Sequence, residues 1–325
     1  MDLTLVGWGS WAVGGPGWSF GWGPQDDQES LAAIRHGIES GINWIDTAPA
    51  YGVGHAEEVV SRALRGLPEE DRPYLFTKCG VLVDPADPYG KPRRAAAPES
   101  IRHELEGSLR RLDVDRVDLY QVHWPPDDGT ALEDYWSTML ALKEEGKIRA
   151  AGLSNHSVAQ LEAAAAVGHV DSLQPPFSAI ARQAAAELAW CAAHGTGVIV
   201  YSPMQSGLLT GAFSPARAAS LQDDDWRACD PDFQGQQLER NLALASVLAS
   251  VAHRHGTTTA AVAVAWTLSW PGVSAAIVGA RRPGQLDDWL PAANVHLAEE
   301  DLEEVGRAID TLGVGSGPSR PPKGR

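Results

Sequence analysis

The chain has 325 residues, 26 basic and 42 acidic side chains, a formal charge of −16 and an apolar fraction of 44%. That balance excludes a general affinity for nucleic acid or anionic membranes, and it obliges any anionic ligand to find a locally positive patch. The length allows two average domains, although α/β barrels routinely reach it as one.

From the N-terminus, MDLTLVGWGS has neither a basic start nor a long apolar core, so no signal peptide is expected. Gly7-Trp8-Gly9-Ser10-Trp11-Ala12 matches the dinucleotide fingerprint GxGxx(G/A). That motif needs a helix opening on its last small residue. The chain continues instead with GGPGWSFGWGP, which predicts a first barrel strand running into a glycine-rich loop.

Alternation then becomes regular. Asp26 or Asp27 caps a helix ending near Ser40, and the β-prone GINWID predicts a buried strand over 42–46. A helix near 55–66, strand 73–78, and a helix opening at Pro98-Glu99 come next, the last with Leu105, Leu109 and Leu112 at helical spacing. Strand 117–122, helix 130–145, strand 148–154, helix 157–167, strand 170–174, helix 183–194 and strand 197–202 continue the pattern. Segment 203–235 has little periodicity and reads as a long functional loop. Helices over 236–255 and 258–269, strand 273–278, and helices over 283–292 and 298–311 complete the series.

Residues 257–280 carry no charge, but Pro271-Gly272 divides them, predicting a buried helix and a buried strand rather than a membrane span. The sum is a (β/α)₈ barrel over 1–312 with extra helices late in the chain, then a Gly/Pro-rich tail, 313–325, expected to be disordered. Cys79, Cys191 and Cys229 are scattered and odd in number, which suits a reducing cytoplasm. His253 and His255 lie at i,i+2 and face different ways, so no metal site is expected.

Three strands end on chemistry. Strand 42–46 delivers Asp46 and, one turn later, Tyr51; YLFTK ends on Lys78; VDLYQVH ends on His123. In a parallel barrel these C-terminal ends share one rim. Singly, the aspartate reads as a turn cap, the lysine as a surface charge and the histidine as a structural imidazole. As a set they read as a general-acid site. Tyr51 donates a proton, a Lys78 ammonium lowers its pKa from the usual value of about 10, Asp46 aims Lys78, and His123 positions a carbonyl.

DTAPAYG, Lys78 closing its strand, LYQVHWP, GLSNHS, LQPPFS, VIVYSPMQSGLLTG and IVGARRPGQL occur in this order between about residues 7 and 311. Together they resemble the aldo-keto reductases, specifically a bacterial group carrying LYQ(I/V)HWP. The resemblance implies that Asp46, Tyr51, Lys78 and His123 form the family's catalytic tetrad and that NADPH supplies hydride to an aldehyde or ketone, sugar-like carbonyls included. It further implies that Ser154, Asn155 and Gln174 hold the nicotinamide carboxamide and that Tyr201 stacks on the ring. Ser202, Gln205, Gly207 and Leu208 would then lie along the pyrophosphate, and Gly279, Arg281 and Gln285 at the adenosine phosphate, with Arg281 opening a helix. Relatives often carry glutamate and asparagine where Asp287, Asp288 and Trp289 stand, and a short hairpin ahead of the first strand that is absent or reduced here.

Aromatic residues crowd the loops expected on this rim: Trp11, Trp18, Trp22, Trp124, Phe177, Phe213, Trp226 and Phe233. Trp11 and Trp124, beside the matched segments, are the candidates for the substrate wall. Two rival readings use fewer of these features. A barrel aldolase would use Lys78 as a Schiff-base nucleophile, and a non-enzymatic subunit would bind NADPH and report to a partner.

Overall fold

The computed structural model describes residues 1–222 and 224–322. Eight parallel strands close a barrel, as the alternation predicts. They are β1 (Val6–Gly9), β2 (Trp44–Asp46), β3 (Tyr74–Cys79) and, after an antiparallel hairpin of β4 (Val81–Leu82) and β5 (Arg93–Arg94), β6 (Val117–Val122), β7 (Ile148–Ser154), β8 (Ser172–Gln174), β9 (Gly197–Val200) and β10 (Ala275–Gly279). Sequential barrel strands are neighbours, and β1 pairs with β10. The register aligns Gly9 with Asp46 and Gly279, Lys78 with Gln121, and Ser154 with Gln174, so the polar strand ends stand at one rim.

Helices α1 (Asp27–Glu39), α2 (His55–Leu64), α3 (Pro98–Leu112), α4 (Leu132–Glu144), α5 (Val158–Val167) and α6 (Ala185–His194) cover the outside. Then α7 (Pro215–Ala219), α8 (Gly235–Arg254) and α9 (Thr259–Leu268) precede β10, and α10 (Gly284–Asp287) and α11 (Glu299–Leu312) come after it. Local chemistry sets the helix starts: the Asp26 carboxylate accepts from the Gln28 N–H at 2.6 Å, and Gln160 Oε1 accepts from the Ser157 N–H at 2.9 Å. The uncharged run is explained by burial, since Ala260 to Thr267 of α9 are all buried beneath α8 and the sheet. Among the described residues no helix is long and apolar enough to cross a membrane.

The GxGxxA decoy has a packing explanation. No α-helix comes directly after β1, only a 3₁₀ turn over Trp11–Val13. Gly7 faces the barrel interior, where the Trp44 indole lies with Phe76, Leu119, Ile199 and Ile277. A β-carbon on Gly7 would stand 2.1 Å from Trp44 Cε2. Trp44 Nε1 donates to the Thr4 carbonyl at 2.8 Å, so the N-terminal residues and this indole together floor the barrel. Gly7→Ala is therefore expected to cost about 1–3 kcal/mol of stability through overpacking. The check is the urea midpoint, which should fall in Gly7→Ala and recover in Gly7→Ala/Trp44→Leu; an unchanged midpoint in the single variant would refute the packing account.

Two element expectations change, and the tail makes contacts over 313–322. Arg182, 2% exposed, donates to the carbonyls of Val314 at 2.9 Å and Pro318 at 3.0 Å, and Arg320 pairs with Glu303 and Asp310 at 2.9 Å each. Residues 323–325 lie outside the described ones. Segment 203–235 holds short helices rather than plain loop: α7 and 3₁₀ turns over Gln205–Thr210, Trp226–Cys229 and Pro231–Phe233. The helix expected over 283–292 divides into α10 and a 3₁₀ turn over Leu290–Asn294.

Candidate active site at the barrel rim

The rim opens into a cavity of about 680 Å³ lined by Asp46, Tyr51, His123 and residues from the loops beyond β1, β3, β9 and β10. β2 carries Asp46 to its floor, 2% exposed, and the chain turns back so that Tyr51 overhangs it. That return needs Gly52, whose φ is +60° and whose β-carbon would lie 1.9 Å from the Gly14 carbonyl oxygen. The end of β3 brings Lys78, which is fully buried. Its Nζ donates to Asp46 Oδ1 at 2.5 Å, to the Thr47 carbonyl at 2.9 Å and to the Tyr51 hydroxyl at 3.3 Å, so all three of its protons are used. His123 stands just past the end of β6, with its ring centroid 5.7 Å from that of Tyr51 and edge-on to it.

Burial decides the protonation states. Tyr51 is pushed well above its ordinary 10.0, first by loss of water and then by the Asp46 carboxylate. In the resting site the loss of water is the larger cause, and it keeps the phenol protonated. Burial pulls Lys78 below 10.5 while Asp46 opposes it. Burial, Lys78 and Arg94 hold His123 well below 6.5. The resting site thus presents a protonated phenol and a neutral imidazole.

The residues matched to the carboxamide form a network of their own. Gln174 Nε2 donates to Asp46 Oδ2 and to Gln121 Oε1, both at 2.9 Å, which leaves only its oxygen for a ligand. Ser154 is fully buried and donates to the Gln174 carbonyl at 2.8 Å, away from the cavity. Asn155, at φ +61°, donates to the His123 carbonyl and accepts from the Tyr201 hydroxyl, each at 2.9 Å. Asn155, Gln174 and Tyr201 line the cavity.

Further round, Ser202, Gln205 and Ser206 have φ of 56°, 45° and 51°. Such left-handed residues cost about 1–3 kcal/mol each and persist only where the surroundings hold them. Gln205 is held from both sides, by Ser178 Oγ at 3.0 Å and by Asp232 Oδ2 at 3.0 Å. Ser202, Gln205 and Gly207 line the cavity, whereas Leu208 is fully buried beneath it.

Gly279, Arg281 and Gln285 stand at the far end, but Arg281 opens no helix. Its N–H donates to Gln285 Oε1 at 2.7 Å, and its guanidinium donates to Gln25 Oε1 at 2.6 Å and to the carbonyls of Trp22 and Pro24. Asp287 turns away to His36 at 2.8 Å, while Asp288 and Trp289 reach the wall.

Arg217 and Arg227, which no sequence motif marks, also line this end. Arg227 pairs with Asp225 at 2.6 Å and lies 4.5 Å from the Trp22 ring centroid. Both sit in the aperiodic segment, where their positive charge in so acidic a chain was the available signal. Of the rim aromatics, Trp11 stacks between Tyr51 at 5.9 Å and Trp226 at 6.4 Å, and Trp124, Trp18, Trp22 and Phe213 share the wall. Phe177 instead packs on Trp270 at 4.9 Å in the core, and Phe233 lies behind Trp226.

Comparison with known proteins finds related sequences and structures. The sequence model described as "Aldo/keto reductase family" matches residues 6–310. "Aldo-keto reductase YhdN" of Bacillus subtilis (strain 168) is 34% identical over 95% of this chain and 91% of its own length. The "NADH-specific methylglyoxal reductase" of Escherichia coli (strain K12) is 32% identical over 95% and 97%. Among solved structures, the glycerol dehydrogenase AKR11B4 of Gluconobacter oxydans superposes with a TM-score of 0.87 at 35% identity, covering 98% of this chain and 94% of that one.

Proposed function

Because the chain belongs to the aldo/keto reductase family, we propose that it reduces an aldehyde or ketone with NADPH, Tyr51 being the proton donor. The observation that carries the reading is Lys78 Nζ, which touches Asp46 and the Tyr51 hydroxyl at once at the head of the cavity. When bound, the dihydronicotinamide supplies hydride to the carbonyl carbon. Tyr51 gives its proton to the carbonyl oxygen as that atom gains charge, and the product is an alcohol. The phenolate left behind lies against the Lys78 ammonium, which is held by Asp46, itself hydrogen-bonded by Gln174. His123, kept neutral, offers a hydrogen bond to the same oxygen.

The cavity suits the cofactor. Along it, Ser10 Oγ and the indole nitrogens of Trp22 and Trp226 are buried without a partner among the described residues. Arg217, Arg227 and Arg281 give a positive patch in a chain of charge −16. Asn155, Gln174 and Tyr201 would meet the nicotinamide, and the backbone of Ser202 to Gly207 the pyrophosphate. The aromatic wall of Trp11 and Trp124 would take an apolar or sugar-like substrate face. Full burial and three satisfied donors make Lys78 a poor nucleophile, which argues against the aldolase reading. A cytoplasmic setting fits three free cysteines. Monitoring NADPH oxidation with a panel of small aldehydes and ketones tests the reading; no turnover with any of them would reject it.

Preference for NADPH over NADH is expected to rest on Arg281 and Arg282 jointly. Arg282 is exposed, whereas Arg281 is partly engaged by the loop at 22–25. Arg281→Ala should weaken both cofactors by releasing that loop, and Arg281→Ala/Arg282→Ala should also cut the NADPH-to-NADH affinity ratio by about tenfold or more. Fluorescence titration decides it, and a ratio unchanged in the double variant would place the preference elsewhere.

A further inference from the structure

Resting on that reading, we infer that the substrate is an oxo acid: a carbonyl compound whose carboxylate is received by Arg94 and Lys91 on the β4–β5 hairpin. The hairpin was invisible in the sequence, yet it forms one wall of the reaction chamber. Val81, three residues beyond Lys78, pairs across it with Arg94. Val81, Val83, Lys91 and Arg94 line the same cavity as Tyr51 and His123. The hairpin is anchored, with the Asp127 N–H donating to the Arg94 carbonyl at 3.0 Å and the Ala95 N–H to the Gly80 carbonyl at 3.2 Å.

Arg94 is preorganised. Its guanidinium carbon lies 4.4 Å from the ring centroid of Trp124, the residue next to His123. A planar fork laid on an indole keeps its edge N–H groups free for a carboxylate, which it can grip with two parallel hydrogen bonds. Neither Arg94 nor Lys91 makes an ion pair with an acidic side chain among the described residues, although 42 acids are present in the chain. Two hairpin acids, Asp84 and Asp87, line a neighbouring pocket with Lys91, and Asp84 is turned to the Ala86 N–H at 2.9 Å. Beside the hairpin the catalytic end is walled by Trp11, Trp18, Phe20 and Ala50, so the ligand expected is an apolar or ring body with a carbonyl at one end and an anion at the other.

The test compares 4-formylbenzoate with its neutral isostere methyl 4-formylbenzoate, using purified enzyme and NADPH. Wild type is expected to favour the acid in kcat/KM by about tenfold, the low end for a charge-assisted pair at an exposed mouth. The ratio should fall to near one in Arg94→Ala, be partly retained in Arg94→Lys, and shrink in high salt. Equal rates for acid and ester in wild type, or a ratio untouched by Arg94→Ala, overturns the inference while leaving carbonyl reduction intact. If neither aldehyde is turned over, the wider carbonyl panel decides the reductase reading separately. Tryptophan-fluorescence titration with terephthalate then decides the anion site by itself, with about tenfold weaker binding expected in Arg94→Ala and equal binding overturning the inference.

Discussion

Tyr51→Phe is expected to lower kcat/KM for carbonyl reduction by about 10²-fold or more while leaving cofactor affinity nearly unchanged. The phenylalanine keeps the ring that stacks on Trp11, so the wall stays in place. Only the hydroxyl is lost, and with it one of the three acceptors of Lys78 Nζ. The pH profile sharpens the assignment. Tyr51 is held well above 10.0 and His123 well below 6.5, so the protonated phenol disappears only in strong alkali and the neutral imidazole only in acid. Wild-type reduction should therefore be flat between about pH 7 and 9. Near wild-type turnover in Tyr51→Phe with chemistry rate-limiting, or a steep profile through neutrality, would remove Tyr51 from the role.

The alternation of strands and helices was legible because the barrel strands are mostly apolar runs, several with a polar residue at or beside their C-terminal end, as WID and YLFTKC show. The gathering of Asp46, Tyr51, Lys78 and His123 came from one topological fact, the common rim of parallel strands. What escaped has no local signature. Strands of two residues, one of them the exposed Arg93–Arg94, fall below any periodicity. The contact of Arg182 with the Pro318 carbonyl spans 136 residues, beyond the reach of any local pattern. Arg281 reads as a free cation at a helix start, yet its guanidinium is tied to a loop 256 residues earlier. Burial of the Tyr51 hydroxyl is likewise a tertiary property, set by the loops that close over it, and no local pattern carries it.

Lys78→Met is expected to lose stability as well as activity, and the two losses should be separable. Lys78 is fully buried and Asp46 is 2% exposed, so the variant strands a carboxylate out of water with Gln174 as its remaining side-chain donor. Removing one partner of a buried pair costs about 3–5 kcal/mol, whereas replacing both with neutral groups of like shape is often nearly neutral. Lys78→Met/Asp46→Asn should accordingly recover most of the urea midpoint, since the introduced amide can still accept from Gln174 through its oxygen. Activity should not return. Without an ammonium 3.3 Å from the phenol, the phenolate formed by proton donation has no counter-charge, and both variants should be slower than wild type by about 10²-fold or more. Borohydride with substrate should trap no adduct on wild-type Lys78, whose three protons are all engaged. A double variant that recovers turnover along with stability would show that the pair only holds the fold, and a trapped imine would return the aldolase reading to first place.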